Sequence, residues 1–179
     1  MHKPENRLRR NVPVIAALSF TLPACTSEAP PSESAASPLR TQIDEVLVFA
    51  EARTRTTLDE LEAANPDHFA TLFPVATKPS PPDLGRWEQK PAEDWRSGFF
   101  PGVVWELYRH GRAPQMRKAA LAWTSTLATL ENTPIDHDLG FRFLPTFGEA
   151  LSVLGESDDP GGVWRGRART AIQRSAFAL

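Results

Sequence analysis

A single cysteine, Cys25, is all that the 179 residues contain, so no intrachain disulfide can form. Net charge is only -2 and the pI is near 6.1, which leaves no basic footprint for a nucleic-acid partner. The charge-free apolar run near the start, Val12 to Leu22, is about eleven residues and too short to span a bilayer core of about 30 Å as a helix. No segment alternates apolar and polar residues between turn signals, so no strand is expected. No repeat of fixed length with shared residues is visible either. With 41% apolar residues, the chain has enough for one globular core and length for little more than one domain.

What the chain does have starts with an export pattern. Lys3, Arg7, Arg9 and Arg10 precede the short apolar run, which ends in Leu22-Pro23-Ala24-Cys25. That ending resembles a lipobox with Cys25 at the position that receives lipid; a plain secretory signal cleaved nearby is the alternative. Residues 1–24 are therefore expected to be a lipoprotein signal peptide, and 25–38, rich in Ser, Pro and Glu, a disordered tether. The implied location is the bacterial cell envelope, lipid-anchored and facing the periplasm or in the outer membrane, or else secreted.

Beyond the tether, periodicity predicts helices and loops. Ile43, Val46, Leu47, Ala50, Thr54, Thr57, Leu58 and Leu61 mark one face of a helix over about 39–64, stopped at Asn65-Pro66. Residues 74–97 are Pro-rich and charged, with no element expected. A second helix begins near Phe99, with Ser97 as its cap, Pro101 in its first turn and Gly111 at its end. Its stripe is Phe100, Val103, Val104, Leu107 and Tyr108. A third, about 114–130, carries Met116, Ala119, Ala120, Trp123, Leu127 and Leu130; a fourth, about 145–155, carries Phe147, Ala150, Leu151 and Leu154. A fifth runs from about 160 to the end on Trp164, Ala168, Ala171, Ile172 and Leu179, with Arg165, Arg167 and Arg174 on a solvated face. The class is all-α; bundle, solenoid and toroid all remain open from periodicity.

Two segments carry chemistry. Residues 95–102 read Trp-Arg-Ser-Gly-Phe-Phe-Pro-Gly, and residues 136–143 read Asp-His-Asp-Leu-Gly-Phe-Arg-Phe. Each stands just before an apolar helical run, with one helix between them. If successive helices are antiparallel, both motifs face one end of the layer. An indole there can stack on a sugar ring or simply anchor a loop. The aspartates can cap a helix or move a proton. Helix N-termini favour anions by about 0.3–1 kcal/mol when exposed, which suits an acidic sugar. Asp136, His137 and Asp138 are adjacent and point different ways, with no further clustered ligands, so no metal site is read here. Arg142 is left undecided between an exposed and a substrate-facing place, and Met116 and Trp123 are read as core.

Trp-x-Ser-Gly-Phe-Phe-Pro-Gly, then Trp105 and Tyr108, then Ala122-Trp123-Thr124, then His137-Asp138-Leu139-Gly140-Phe141 follow one another over about residues 40–179. This order resembles the N-terminal part of the unsaturated glucuronyl hydrolases, glycoside hydrolase family 88. The resemblance implies an (α/α)6 barrel, a six-hairpin toroid, of which residues 39–179 would be the N-terminal part. It implies no cofactor, and a substrate partner that is an oligosaccharide ending in a 4,5-unsaturated uronic acid. In the implied reaction a carboxylic acid protonates C4, water adds at C5, and the resulting hemiketal opens with loss of the glycosidic bond. Asp138 matches the first of two family aspartates, which hydrogen-bonds substrate and assists its partner. Trp95 and His137 match substrate-contacting positions. The second aspartate, the principal acid/base, lies further along family members. Twelve helices at roughly 28 residues each need about 340 residues, so the expectation is a fragment, inactive alone. Two other readings stand beside it: a hydrolase for unsaturated rhamnogalacturonan products, disfavoured by the His-Asp-Leu-Gly-Phe box, and a non-catalytic helical lipoprotein that binds sugars or a protein.

Overall fold

A computed structural model describes residues 37–133 and 137–177. The apolar start, Cys25 and nearly all of the tether lie outside the described residues, as does Asp136. The described part is mostly helical. Helix α1 spans Pro38–Ala64, and the helical pair α2 (Phe99–Gly111) and α3 (Pro114–Leu127) is joined by two residues. Segments α4 (Leu139–Phe143) and α5 (Glu149–Val153) are joined without a break by a π-helical stretch, Leu144–Gly148, and α6 spans Val163–Phe177. None of the described helices is long and apolar enough to cross a membrane.

The expectation of no strand is corrected. Strands β1 (Phe73–Thr77) and β2 (Trp87–Lys90) form an antiparallel hairpin in which Phe73 pairs with Lys90 and Thr77 with Trp87. A register shift between Pro74 and Ala76 places an irregularity near the proline, which has no N–H for the ladder. The hairpin is tied to the helices through indoles. Trp87 donates to Thr57 Oγ1 at 3.3 Å and Trp123 donates to the Leu72 carbonyl at 3.0 Å.

The core sits between α2, α3, α5 and α6. Val104, Trp105, Leu107, Met116, Ala120, Trp123, Leu127, Phe147, Ala150, Ala168 and Ala171 are buried there. Trp105 donates to Thr124 Oγ1 at 3.0 Å, so a polar pair inside the α2–α3 contact leaves neither partner unsatisfied. Helix α1 follows its predicted bounds closely: Ser37 Oγ accepts from the Arg40 N–H, Pro38 opens the first turn, and Asn65 ends it. Its predicted buried face holds from Leu47 onward. Thr54, Leu58 and Leu61 are buried and Leu47 and Ala50 partly buried against the core, whereas Ile43 and Val46 are exposed.

Three further expectations change. Ser97 does not cap α2; its hydroxyl is buried and donates to the Ala92 carbonyl at 2.9 Å, while Gly98 occupies the cap position. Within α2, Val103 is exposed and Trp105 takes the buried position instead. The fourth helix starts at Leu139, six residues before the predicted start near 145. Pro145 lacks the N–H that an α-helix would use, and the π stretch absorbs that loss by pairing one residue further along. At the other end of α2, Arg112 takes the left-handed conformation (φ 54°) that glycine would favour. Its guanidinium donates to Asp158 at 3.1 Å and to the Val153 carbonyl at 3.3 Å, which holds the turn.

The arginines of α6 are solvated at one edge and paired at the other. Arg165 bridges to Glu156 at 3.1 Å, Arg174 to Glu131 at 2.5 Å, and Arg167 lies over the Trp164 ring. Asp159 caps this helix by accepting the N–H groups of Trp164 and Arg165, both at 2.9 Å. Burial alone would raise its pKa, but those two backbone donors and the Arg165 side chain hold it below the ordinary carboxylate value.

Candidate aromatic and carboxylate site

The first motif runs from the loop after β2 into the first turn of α2, and the described part of the second, 137–143, enters and forms α4. Their backbones meet. A Cβ placed on Gly98 would lie 2.2 Å from the Phe141 carbonyl oxygen and 2.7 Å from the Arg142 Cα, so this approach requires glycine. Trp95, Phe99 and Phe141 gather around the junction. Ring centroids are 5.8 Å apart for Trp95 and Phe99, 5.9 Å for Trp95 and Phe141, and 5.7 Å for Phe99 and Phe141. These are the edge-on and tilted spacings that aromatic rings favour. All three rings remain open to solvent, at 45%, 42% and 48% exposure. Exposed aromatic clusters are where a protein surface can receive a ligand, which makes this one a candidate.

Asp138 stands in the cap position of α4 with its side chain 26% exposed, and His137, 91% exposed, places Nε2 3.5 Å from Asp138 Oδ1. Asp138 makes no side-chain hydrogen bond to the helix it precedes. The sequence-predicted residues thus divide. Trp95 and the Asp138–Leu139 entry share one corner of the fold through Phe141, and His137 extends outward from it. Cys25 and Asp136 fall outside the described residues.

Arg142 is neither exposed nor open to a substrate. Its side chain is fully buried, with Nε donating to the Asp94 carbonyl at 3.2 Å and Nη2 to the Glu93 carbonyl at 2.6 Å. On the other side of Trp95, Arg96 forks onto the Asp94 carboxylate at 2.9 and 2.8 Å. The Arg96 hydrogen bond holds Asp94 below the ordinary carboxylate range against the opposing pull of burial, and Asp94 in turn raises Arg96. Phe99 and Phe141 were not singled out as site residues from the sequence, and Arg142 was left undecided. The available signal was an apolar residue at a motif position facing away from its helix stripe. Among the described residues, no group of three or more His, Cys, Asp or Glu side chains gathers as a metal site.

The arrangement defines a helical scaffold carrying an exposed aromatic platform beside a carboxylate and an imidazole. Chemically, such rings can stack on a flat ligand face, and such a carboxylate can accept hydrogen bonds or assist proton transfer. The chain is similar, over 61 residues at 34% identity, to an unsaturated glucuronyl hydrolase of Formosa agariphila. That match covers 34% of this chain and 15% of the relative, so the chain spans far less than two thirds of the relative's length. No protein-family model matches the chain, and no solved structure matches it. The partial likeness supports a glycoside-hydrolase-like relationship.

Proposed function

We propose that the chain handles oligosaccharides whose non-reducing end is a 4,5-unsaturated uronic acid, as part of an (α/α)6 glycoside hydrolase. The observation that carries this reading is the exposed Trp95–Phe99–Phe141 platform joined to the helix entry that bears Asp138. Trp95 stacks on the flat unsaturated ring, and His137 and Asp138 reach its polar edge. Flattening of the ring by the C4=C5 bond favours stacking on an indole over the puckered saturated sugar. In the proposed reaction a proton goes to C4 and water adds its hydroxyl at C5. The hemiketal at C5 then opens, which releases the next sugar. Asp138 holds the substrate and assists; the principal acid/base is left to an aspartate outside the two motifs. Binding is therefore the measurement that tests this chain.

The experiment is titration of the purified chain with an unsaturated chondroitin disaccharide and with its saturated counterpart. Preferential binding of the unsaturated sugar is expected. Asp138→Asn should weaken it about tenfold, the loss expected when a hydrogen bond to a charged acceptor becomes a neutral one. Equal affinity for the two sugars, or wild-type affinity in Asp138→Asn, would sink the reading.

A further inference from the structure

We infer that Arg142 is a positioning residue that fixes the Trp95 platform against the entry of α4. The inference rests on the proposed sugar-binding reading and adds a residue that acts on the site from beneath. A guanidinium with no exposed surface is rare unless its donors are satisfied, because desolvating the charge is costly. Here two donors reach carbonyls of consecutive residues, Glu93 and Asp94, and the next residue in the chain is Trp95. Arg142 itself follows Phe141, whose ring meets Trp95, and stands four residues after Asp138. One side chain therefore joins the backbone that carries the indole to the helix that carries the carboxylate.

The surroundings leave this joint little freedom. Gly98 already lies in backbone contact with Phe141 and Arg142, and the Arg96–Asp94 fork ties the far flank of Trp95. Beneath the joint, the Thr146 hydroxyl donates to the Arg142 carbonyl at 2.6 Å from within the π stretch. Among the described residues the indole meets Phe99 and Phe141 edge-on and the Arg96 guanidinium 6.0 Å from its ring centre, all of them on or against the same loop, so its placement follows the loop backbone. Arginine suits the task because its planar fork can span two acceptors in fixed directions. Lysine offers a point charge with rotating donors and would hold the loop less closely.

The test uses the 179-residue chain with its tryptophans replaced by 5-fluorotryptophan, and fluorine NMR as the readout. The Trp95 resonance is identified by its loss in Trp95→Phe. In Arg142→Gln the Trp95 resonance should shift or broaden while those of the buried Trp105 and Trp123 stay in place, with Arg142→Lys intermediate. Affinity for the unsaturated chondroitin disaccharide should fall about tenfold in Arg142→Gln, since a misplaced contact of this kind weakens recognition without removing any group that touches the sugar. A Trp95 resonance unchanged in Arg142→Gln overturns the inference. So does a shift shared equally by all the tryptophans, which marks general loosening. If Arg142→Gln does not fold, Arg142→Lys decides: a moved Trp95 resonance supports the joint, and an unmoved one, or a second failure to fold, overturns it. A wild-type chain that ignores the disaccharide would defeat the functional reading alone, because the resonance arm judges Arg142 without any sugar.

Discussion

Trp105 and Trp123 differ from Trp95 in every respect that packing controls. The first two have no exposed surface, and each donates its indole N–H to an oxygen of the fold, Thr124 Oγ1 and the Leu72 carbonyl. They sit on α2 and α3, where an apolar stripe meets another apolar stripe. Trp95 sits on a loop, nearly half exposed, among two phenylalanines that are exposed as well. A buried indole with its N–H satisfied lowers the free energy of the fold itself. An exposed indole on a braced loop stabilises little and is available to a ligand. The difference separates residues that build the core from residues the fold leaves at its surface.

Truncating the core tryptophans tests this at its strongest. Trp105→Ala and Trp123→Ala should each lose about 3–5 kcal/mol, because a large side chain is removed and little of the cavity can close. Trp105→Ala also strands the Thr124 hydroxyl in the interior. Against a net stability of about 5–15 kcal/mol, either variant should unfold at much lower denaturant. Urea midpoints measured by far-UV circular dichroism check this, and a loss under about 1 kcal/mol would remove these residues from the core.

A smaller effect is expected at the brace beside the platform. Asp94 has a depressed pKa through its hydrogen bonds with Arg96, so its contribution is complete above the ordinary carboxylate value of 3.8. It disappears as pH falls through the still lower value of the folded state. Asp94→Asn keeps an oxygen for the Arg96 N–H, at 2.9 Å in the wild type, but loses the charge. At neutral pH it should be less stable by on the order of 1 kcal/mol, as for a partly buried ion pair. The gap to wild type should close at acid pH. Stability curves of the two proteins between pH 7 and pH 2 provide the measurement, and a gap independent of pH would show that charge is not the cause.

The sequence made α2 and α3 readable because their apolar positions recur at helical spacing and Pro101 and Pro114 stand where prolines open helices. It also placed the two motifs at one corner, since each precedes a helix with a single helix between them. Elsewhere local signals misled. Strands of five and four residues interrupted by Pro74 are too short to display a period of two, so the hairpin was read as loop. The fourth helix was placed from about 145 on the spacing of Phe147, Ala150, Leu151 and Leu154, yet a π stretch that accommodates Pro145 carries it back to Leu139. Ser97 had the chemistry of a cap, but burial turned its hydroxyl to Ala92. Periodicity showed which face of α1 is apolar, not how far its neighbours extend. Arg142 was unreadable for a related reason: a charged residue beside exposed positions gives no sign that two carbonyls from 48 and 49 residues earlier will surround it.

The smallest effect on stability should come from Trp95 itself, and this prediction bears hardest on the comparison. Trp95→Ala removes two aromatic edge contacts at a half-exposed place, where each pair contributes only modestly. Among the described residues its indole N–H donates no hydrogen bond of the kind that those of Trp105 and Trp123 donate. The loss should be about 0.5 kcal/mol, in the range of ordinary surface substitutions. Affinity for the unsaturated disaccharide should nevertheless fall by about tenfold, because the indole face on which the flattened ring would stack is removed. Trp95→Phe should recover part of that affinity, since a smaller ring still offers a face. Denaturation midpoints and calorimetric titrations on the same preparations measure both quantities together. If Trp95→Ala destabilises as strongly as Trp105→Ala, the indole is a packing anchor and the platform is not a platform. If it costs neither stability nor affinity, the exposed cluster has no part in recognition.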